Sequence, residues 1–353
     1  MKKLTLISIS LLLGGAYAFA QAPQSVPGNL DWIPINTPSG IRADPEVFLQ
    51  GNFVEIGISE GGSCGTIGSA PGGYHNWFGG GLGFVADFNM DGWAVGVPPY
   101  SGDYFLPGSP YEGWLVEFTH QAIEYTFQNA QASGFYSVPQ TSLVNTSSGS
   151  TNSALWTGTA TGAGQSLKVE QLFHFVDSDA KFLIDVTLTN TGPEALQDVE
   201  YARSVDPDQE QYITGDYTTS NYVGHQPDGI DNLAQVVGNG LVYGIPMGLQ
   251  ITHPNAKAHV NPSGLAIFSP DETLDFTNAP TQGAPYISDV GVSVAVRFPV
   301  LNPGQSVTFT VIYVLNEDEV INPPRDVPVS NWALALLVGL IVIFTVIRFK
   351  RMN

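Results

Sequence analysis

The chain has 353 residues, of which 32 are Asp or Glu and 12 are Lys or Arg, so its formal net charge is −20. This acidic balance excludes a nucleic-acid binder of the basic-patch type, because too few basic residues are present to neutralise a run of phosphates. Hydrophobic residues make up 43% of the chain, enough for one large globular domain or two smaller ones. The lone Cys64 excludes an intramolecular disulfide.

The first twenty residues have the pattern of a cleavable secretory signal. Two lysines precede an apolar run from Leu4 to Leu13, and small residues follow it in an A-x-A pattern. Such a run is too short to span a membrane, and the small residues mark a signal-peptidase site. Residues 1–20 are therefore predicted to direct the chain to the secretion translocase, with signal-peptidase cleavage after Ala18 or Ala20.

The other end of the chain predicts a membrane span. Residues 327–347 carry no charge, and as a helix these positions would cover roughly 31 Å, enough to cross a hydrocarbon core. Arg348, Lys350 and Arg351 follow directly and favour the cytoplasmic side, while Trp332 lies at the opposite edge, where indole rings prefer the interface. We expect a transmembrane helix over 332–347 and an exported body outside the inner membrane.

The C-terminal segment, residues 327–353, resembles a known class of bacterial sorting signals. Val327, Pro328, Ser330 and Trp332, followed by the apolar helix and the basic end, are similar to the signals called PEP-CTERM, and especially to their IPTL-CTERM variant. One residue fewer separates Pro from Trp, and no Pro-Glu-Pro is present. The resemblance implies that an exosortase-like membrane transpeptidase recognises the tail, cuts near Pro328 and transfers the body to the envelope, cell surface or exterior. The same order also fits a plain single-span anchor.

The body between the two ends is predicted to be all β. Large apolar residues recur at every second position over 182–188, 290–298 and 307–315, a pattern typical of half-buried strands. Residues 169–176 and 181–188, separated by Asp177-Ser178-Asp179-Ala180, predict a hairpin. No segment of useful length has a helical period. The predicted fold is an antiparallel β-sandwich over residues 47–320, with the supersandwich as its larger form.

Internal boundaries of this body are weakly marked. Residues 21–46 are Pro-rich, and residues 138–167 are rich in Ser, Thr, Gly and Asn. The second stretch fits either a linker between two sandwiches or a polar excursion with edge strands in a single one. We favour a single continuous β-body.

The sharpest local motif predicts a calcium site. Oxygen-bearing side chains at Asp87, Asn89 and Asp91 are followed by a glycine that permits a sharp turn, and Trp93 offers a backbone carbonyl. Ca²⁺ prefers several closely spaced oxygens of this kind. Position 12 of the loop is Pro98, so the closing Glu of an EF-hand is absent. An ordinary Asx-rich turn between strands explains the same residues.

A second acidic group, Asp206-Pro207-Asp208-Gln209-Glu210, follows Arg203. It fits a cation site, an ion pair with Arg203, or a solvated turn.

Few residue patterns in the chain indicate catalysis. Cys64 lies in a glycine-rich turn without a recognisable base and is expected to pack as a small residue, while His120 and His174 lie in strand-like runs where structural imidazoles are expected.

Aromatic residues crowd residues 74–114 together with glycines and acids, and this combination supports an alternative function. Flat rings stack on sugar faces while carboxylates accept hydrogen bonds from hydroxyls. The alternative is therefore a secreted carbohydrate-binding or carbohydrate-active protein, with Glu112 or Asp206 as its acidic residue. Packing of rings in a β core explains the same composition. The favoured prediction is an exported, non-enzymatic envelope, surface or matrix protein that is stiffened by calcium.

Overall fold

A computed structural model describes residues 46–75, 81–93, 102–107, 111–130, 135–262, 264–265, 270–275 and 282–316. The predicted signal peptide and the C-terminal sorting segment lie outside these ranges. Within them the chain forms eighteen strands and two one-turn helices. Neither described helix has the length or the apolar character that crossing a bilayer requires.

The elements follow one another in chain order, with the helices late in the sequence. They are β1 (Val47–Gln50), β2 (Val54–Ile58), β3 (Phe84–Ala86), β4 (Glu112–His120), β5 (Ile123–Ala130), β6 (Phe135–Tyr136), β7 (Gln140–Asn145), β8 (Thr151–Gly162), β9 (Gln165–Val176), β10 (Lys181–Asn190), β11 (Leu196–Val205), α1 (Gln211–Thr214), β12 (Thr219–His225), β13 (Leu233–Gly240), β14 (Pro246–Thr252), β15 (Ala256–Val260), α2 (Pro270–Leu274), β16 (Tyr286–Ser288), β17 (Val292–Leu301) and β18 (Ser306–Val314).

The strands form two large sheets and one small one. The nine-stranded sheet has the order β16-β12-β13-β14-β18-β10-β9-β8-β7, and the six-stranded sheet has the order β15-β17-β11-β4-β5-β6. Strands β1, β2 and β3 make a separate three-stranded sheet. The described strand pairings are antiparallel. The prediction of an all-β, antiparallel fold is confirmed.

The two large sheets face each other across an aromatic core. Trp114 on β4 contacts Trp156 on β8 edge to face, with ring centroids 5.2 Å apart. Phe309 on β18 meets Tyr201 on β11 at 5.2 Å and Phe298 on β17 at 5.6 Å. These rings join opposite sheets, so the body is a β-sandwich whose stability rests on buried apolar area.

The alternating runs form the strands that the sequence predicts. On β10, Phe182, Ile184, Val186 and Leu188 are fully buried, and the residues between them are partly exposed. The predicted hairpin is also present, because β9 and β10 pair antiparallel with Leu183 opposite His174. A period of two places one face of each strand on the core, which is why these elements are readable from sequence.

Strand β17 differs from simple alternation because both of its faces are covered. Val292, Val294 and Val296 face the core, while Ser293 and Ala295 on the opposite face are also buried. Helix α2 lies over that outer face, where Thr273 Oγ1 is 2.9 Å from Ser293 Oγ and Leu274 packs near Ala295.

The Ser- and Thr-rich stretch contributes strands to the nine-stranded sheet. Strand β7 is its edge strand, and β8 pairs with β9 from Thr151 to Gly162. Trp156 of β8 is fully buried, and its indole N–H donates to the carbonyl of Glu60 at 2.7 Å.

Candidate functional site

The predicted calcium loop begins where β3 ends. Asp87 is fully buried, and its Oδ2 accepts backbone N–H bonds from Gly92 at 2.7 Å and from Trp93 at 2.9 Å. Its Oδ1 accepts a longer bond from the N–H of Asp91 at 3.3 Å. Left-handed backbone at Gly92 and Trp93 turns the chain so that these N–H groups point back at the carboxylate. The Asp87 side chain therefore acts as the centre of an Asx-type turn.

The other predicted ligands lie on the surface of the same loop. Asn89 and Asp91 are exposed, and Asn89 Nδ2 donates to Asp91 Oδ2 at 3.1 Å. Trp93 stacks on His75, with ring centroids 4.0 Å apart, and its indole N–H donates to the carbonyl of Asn52 at 2.7 Å. The structure thus brings Asp87, Asn89, Asp91 and Trp93 together in one turn. These hydrogen bonds fit the Asx-rich turn, and calcium at this loop stays a prediction.

A second carboxylate cluster lies where strands of both large sheets end. Asp206 and Asp208 follow β11 of the six-stranded sheet, and Asp289 follows β16 at the edge of the nine-stranded sheet. One carboxylate oxygen from each lies within 4.8 Å of the other two. Asp206 is 2% exposed and Asp208 is 1% exposed, whereas Asp289 is exposed to solvent.

Backbone N–H groups of the two inner aspartates have hydrogen-bond partners, but one oxygen of each carboxylate has none among the described residues. The N–H of Asp206 donates to the carbonyl of Tyr111 at 2.9 Å, and the N–H of Asp208 donates to the carbonyl of Tyr104 at 2.7 Å. Within the described part of the chain, the buried Oδ1 atoms of Asp206 and Asp208 have no hydrogen-bond partner. Buried polar atoms normally have one, so these two oxygens are exceptional.

Burial and neighbouring carboxylates raise the pKa of all three acids. Burial, followed by the charge of Asp289, raises the pKa of Asp206. Burial, followed by the charges of Asp206 and Asp289, raises the pKa of Asp208. Partial burial and then the charge of Asp216 raise the pKa of Asp289. Close carboxylates with no counter-charge either retain protons or bind a cation.

The rest of the 206–210 run has structural partners. Glu210 accepts backbone N–H bonds from Val242 at 2.8 Å, Tyr243 at 2.9 Å and Ile245 at 3.0 Å. Gln209 Nε2 donates to the carbonyl of Ile245 at 2.8 Å. Both side chains hold the turn between β13 and β14, so only the two aspartates of this run belong to the cluster.

Arg203 pairs with Glu112 inside the core, and not with the acids that follow it in sequence. Both residues are fully buried, and Arg203 Nη2 lies 2.6 Å from Glu112 Oε1. Tyr313 on β18 donates its hydroxyl to the same oxygen at 2.5 Å, and Arg203 Nη1 donates to Gln171 Oε1 on β9 at 2.8 Å. Because Glu112 and Arg203 belong to one sheet and the other two residues to the facing sheet, this network links the two layers.

Burial raises the pKa of the Glu112 carboxyl, and the Arg203 charge acts in the opposite direction. The other Glu112 oxygen, Oε2, accepts the backbone N–H of Cys64 at 2.6 Å. Cys64 itself is fully buried as a free thiol whose pKa is raised by burial, as expected of a packing residue. Glu112 is therefore enclosed by the core and does not reach the surface.

The histidines that were predicted to be structural have acidic partners. His120 Nε2 lies 2.9 Å from Glu194 Oε2, and His174 Nε2 lies 3.0 Å from Asp185 Oδ2.

The aromatic-rich stretch divides between core and surface. Tyr104, Tyr111 and Trp114 are buried, whereas Tyr74 and Trp93 are partly exposed. Trp77, Phe78 and Tyr100 lie outside the described residues. Most of the described rings in this stretch therefore pack in the core, and Trp93 is the ring that shares a loop with an exposed acid, Asp91.

One member of the carboxylate cluster, Asp289, was missed by sequence reasoning. It lies alone between Ser288 and Val290, outside any acidic run. Only the crossover from β16 to β17 brings it beside Asp206 and Asp208. A single aspartate directly before an alternating strand was the available signal, and that signal is not specific.

No family model matches the chain, and neither does any curated protein sequence. Among solved structures, a putative aldose 1-epimerase from Escherichia coli K12 is similar over 76% of this chain and 98% of its own, with 12% identity and a TM-score of 0.35. A galactose mutarotase-like protein from Lactobacillus casei covers 77% of this chain and 100% of its own, with 11% identity and a TM-score of 0.38. A putative aldose 1-epimerase from Klebsiella pneumoniae covers 74% and 76%, with 10% identity and a TM-score of 0.31. Similarities at this level do not assign a ligand or an activity to this chain.

Proposed function

We propose that this chain is an exported, non-enzymatic protein of the bacterial envelope or cell surface, with a supersandwich-like β-body delivered through the C-terminal sorting segment. The observation that carries the proposal is the order of Pro328, Ser330 and Trp332, the uncharged run and the basic end. The N-terminal signal pattern supports the same route. Signal peptidase would remove residues 1–20, and an exosortase-like transpeptidase would act on the inner-membrane intermediate.

The body has properties that suit an extracellular structural role. Removing the five basic residues at the two ends leaves 7 basic and 32 acidic residues, a net charge of −25. Such a charge keeps a protein soluble and favours divalent cations. The buried Glu112–Arg203 pair supports a structural role for these groups, because both charged ends are occupied by partners in the core.

The experiment that tests this function is the intact mass of the protein isolated from its native envelope. The expected mass lacks residues 1–20 and the segment after the cut near Pro328, with any covalent attachment added. Trp332→Ala, or deletion of residues 348–353, should leave unprocessed protein in the inner membrane. Trp93→Ala in the body is a matched tryptophan control and should be processed normally. If Trp332→Ala is processed as the parent is, the tail acts as a plain single-span anchor and not as a sorting signal.

Calcium at the Asp87 loop is the second part of the proposal. Asn89 and Asp91 present oxygens on the surface next to the buried Asp87 carboxylate, and hard cations favour such sets. A chelator should lower the melting temperature of the protein, and added Ca²⁺ should restore it. The response should be reduced in Asp91→Ala. If the chelator lowers the melting temperature of this variant by the same amount, calcium does not bind to the loop.

A carbohydrate-binding role is the second candidate, and one observation favours it. The partly exposed indole of Trp93 shares its loop with exposed Asp91, and sugar sites combine a flat ring with an acidic acceptor in this way. Trp93 fluorescence should then respond to envelope-type oligosaccharides, and Trp93→Ala should remove that response. If oligosaccharides do not change the Trp93 fluorescence, the carbohydrate-binding role is excluded and the non-enzymatic envelope role is the remaining candidate.

A further inference from the structure

The Asp206, Asp208 and Asp289 cluster lies at a structural junction of the body. Asp206 and Asp208 stand where the chain leaves the six-stranded sheet, and Asp289 stands in the crossover that leaves the edge of the nine-stranded sheet and enters β17. Val205 at the end of β11 pairs with Val292 at the start of β17, which brings the two chain segments together. Side chains from three separate positions thus meet at one end of the sandwich.

In the two inner aspartates the backbone N–H groups have partners, whereas one carboxylate oxygen of each side chain has none among the described residues. Their N–H groups donate to the carbonyls of Tyr111 and Tyr104. Their Oδ1 atoms are buried and have no partner among the described residues. No ion pair within the described residues neutralises any of the three carboxylates. A buried carboxylate without a partner is strongly unfavourable, so the site needs a positive species to compensate it.

We propose that Asp206, Asp208 and Asp289 bind a divalent cation, with Ca²⁺ the preferred ion, and that this ion fastens the end of β11 to the β16–β17 crossover. Asp289 is exposed and gives the ion a route from solvent, while the two inner aspartates enclose it.

The ligand set distinguishes among metals. It consists of carboxylate oxygens only, which suits hard cations and disfavours zinc or copper sites, where histidine or thiolate is usual. The three ligand oxygens lie within 4.8 Å of one another. Mg²⁺ demands near-ideal octahedral geometry and usually keeps several waters, whereas Ca²⁺ accepts flexible coordination by several carboxylates, so Ca²⁺ is the preferred ion.

This site is distinct from the predicted Asp87 loop. Asp87 accepts three backbone N–H bonds, whereas the buried Oδ1 atoms of Asp206 and Asp208 accept none within the described chain. The two sites can therefore be separated by mutation. The test uses the full-length chain in detergent with Asp91→Ala throughout, so that any calcium binding by the loop is weakened and is the same in every protein compared.

The probe is Ca²⁺ itself, added after chelation and followed by titration calorimetry and by the melting temperature. Ca²⁺ should raise the melting temperature, and Asp208→Asn should weaken binding by about tenfold or more, because cation affinity follows the number of charged ligands. Asp289→Asn should weaken it in the same way, and because Asp289 is exposed this variant tests the site even if Asp208→Asn folds poorly. Mg²⁺ should give a smaller shift than Ca²⁺.

The matched control is Asp198→Asn, which removes the same charge from an exposed position on β11. The backbone of Asp198 is left-handed, a conformation that asparagine also adopts. This variant should bind Ca²⁺ as the Asp91→Ala parent does. The proposal is overturned if Ca²⁺ neither binds to the parent nor raises its melting temperature, and a higher melting temperature of Asp208→Asn would then show that the carboxyls share protons instead. The proposal is equally overturned if Asp208→Asn and Asp289→Asn bind Ca²⁺ as tightly as the control.

Discussion

Among the buried carboxylates of the described chain, two groups differ in what compensates their charge. Glu112 lies inside the sandwich with Arg203 at 2.6 Å and with the Tyr313 hydroxyl and the Cys64 N–H on its oxygens. Asp206 and Asp208 lie at the end of the sandwich with unpartnered oxygens and a third acid nearby. The first group is complete within the chain, while the second requires protons or an ion from outside.

The difference teaches that burial alone does not identify a functional carboxylate. Low dielectric makes a compensated pair costly to break and an uncompensated cluster costly to form. The cation proposed for the cluster would supply the compensation that the second arrangement lacks. Breaking each group in turn separates the two cases.

The largest expected effect is at the compensated pair. Arg203→Met leaves the Glu112 carboxylate buried without its counter-charge, and we expect a loss of about 3–5 kcal/mol in the free energy of unfolding. Urea unfolding of the full-length chain measures it. The double variant Arg203→Met with Glu112→Gln should recover part of the loss, since neither charge then remains. A loss below about 1 kcal/mol for the single variant would contradict a compensating role for Arg203.

The uncompensated cluster should give a pH dependence in the presence of chelator. The raised pKa values of Asp206 and Asp208 mean that the folded state holds protons that the unfolded state releases near pH 4, as ordinary aspartates do. The stability that those protons provide is complete below that pH and is lost as pH rises toward the folded values. The slope should reach about 1.4 kcal/mol per pH unit for each carboxyl.

The control for this pH dependence is Asp208→Asn, whose slope should be shallower. Asp103 also has a pKa raised by burial, to about 7, but it is present in both proteins and cancels in the comparison. Melting temperatures across pH 5–8 give the two slopes. Equal slopes in the parent and in Asp208→Asn would show that this carboxyl does not titrate differently on folding.

The strands were predictable because the pattern that identifies a strand lies within its own few residues. Phe182, Ile184, Val186 and Leu188 occupy every second position, and a period of two suffices to place them on one face. The hairpin between β9 and β10 needs only a short turn between two such runs. Helix α2 over β17 was not predictable, because nothing in the alternating run shows that its polar face is also covered.

The Glu112–Arg203 pair and the cluster of Asp206, Asp208 and Asp289 depend on contacts between residues that are far apart in sequence. Glu112 and Arg203 are 91 residues apart and become neighbours only because β4 and β11 pair. One of the interpretations open from sequence paired Arg203 with the acids just after it, and the strand register instead directs Arg203 into the core. Asp289 joins Asp206 and Asp208 through a crossover between sheets. A local sequence pattern carries no information about such a long-range contact.

A smaller effect is expected at the Asp87 turn, which is compensated by backbone groups. Asp87→Ala removes the acceptor of three N–H bonds and should lower the free energy of unfolding by about 1–3 kcal/mol, even in chelator. Asp91→Ala, at an exposed position of the same loop, should change stability in chelator by less than about 0.5 kcal/mol. Urea unfolding compares the two. Unchanged stability of Asp87→Ala in chelator would mean that the turn does not depend on this carboxylate.

The smallest effect is expected at an ion pair that, like Arg203–Glu112, joins a basic side chain to a glutamate but is not buried. Lys168 and Glu170 on β9 are 2.8 Å apart, and their side chains are 37% and 30% exposed. Lys168→Met keeps the apolar stem and removes the charge, and we expect a change below about 1 kcal/mol, screened further by salt. Urea unfolding at low and high salt measures it. A loss as large as that of Arg203→Met would mean that ion pairing itself, and not removal from water, decides the energetics, whereas a small loss assigns the difference to burial.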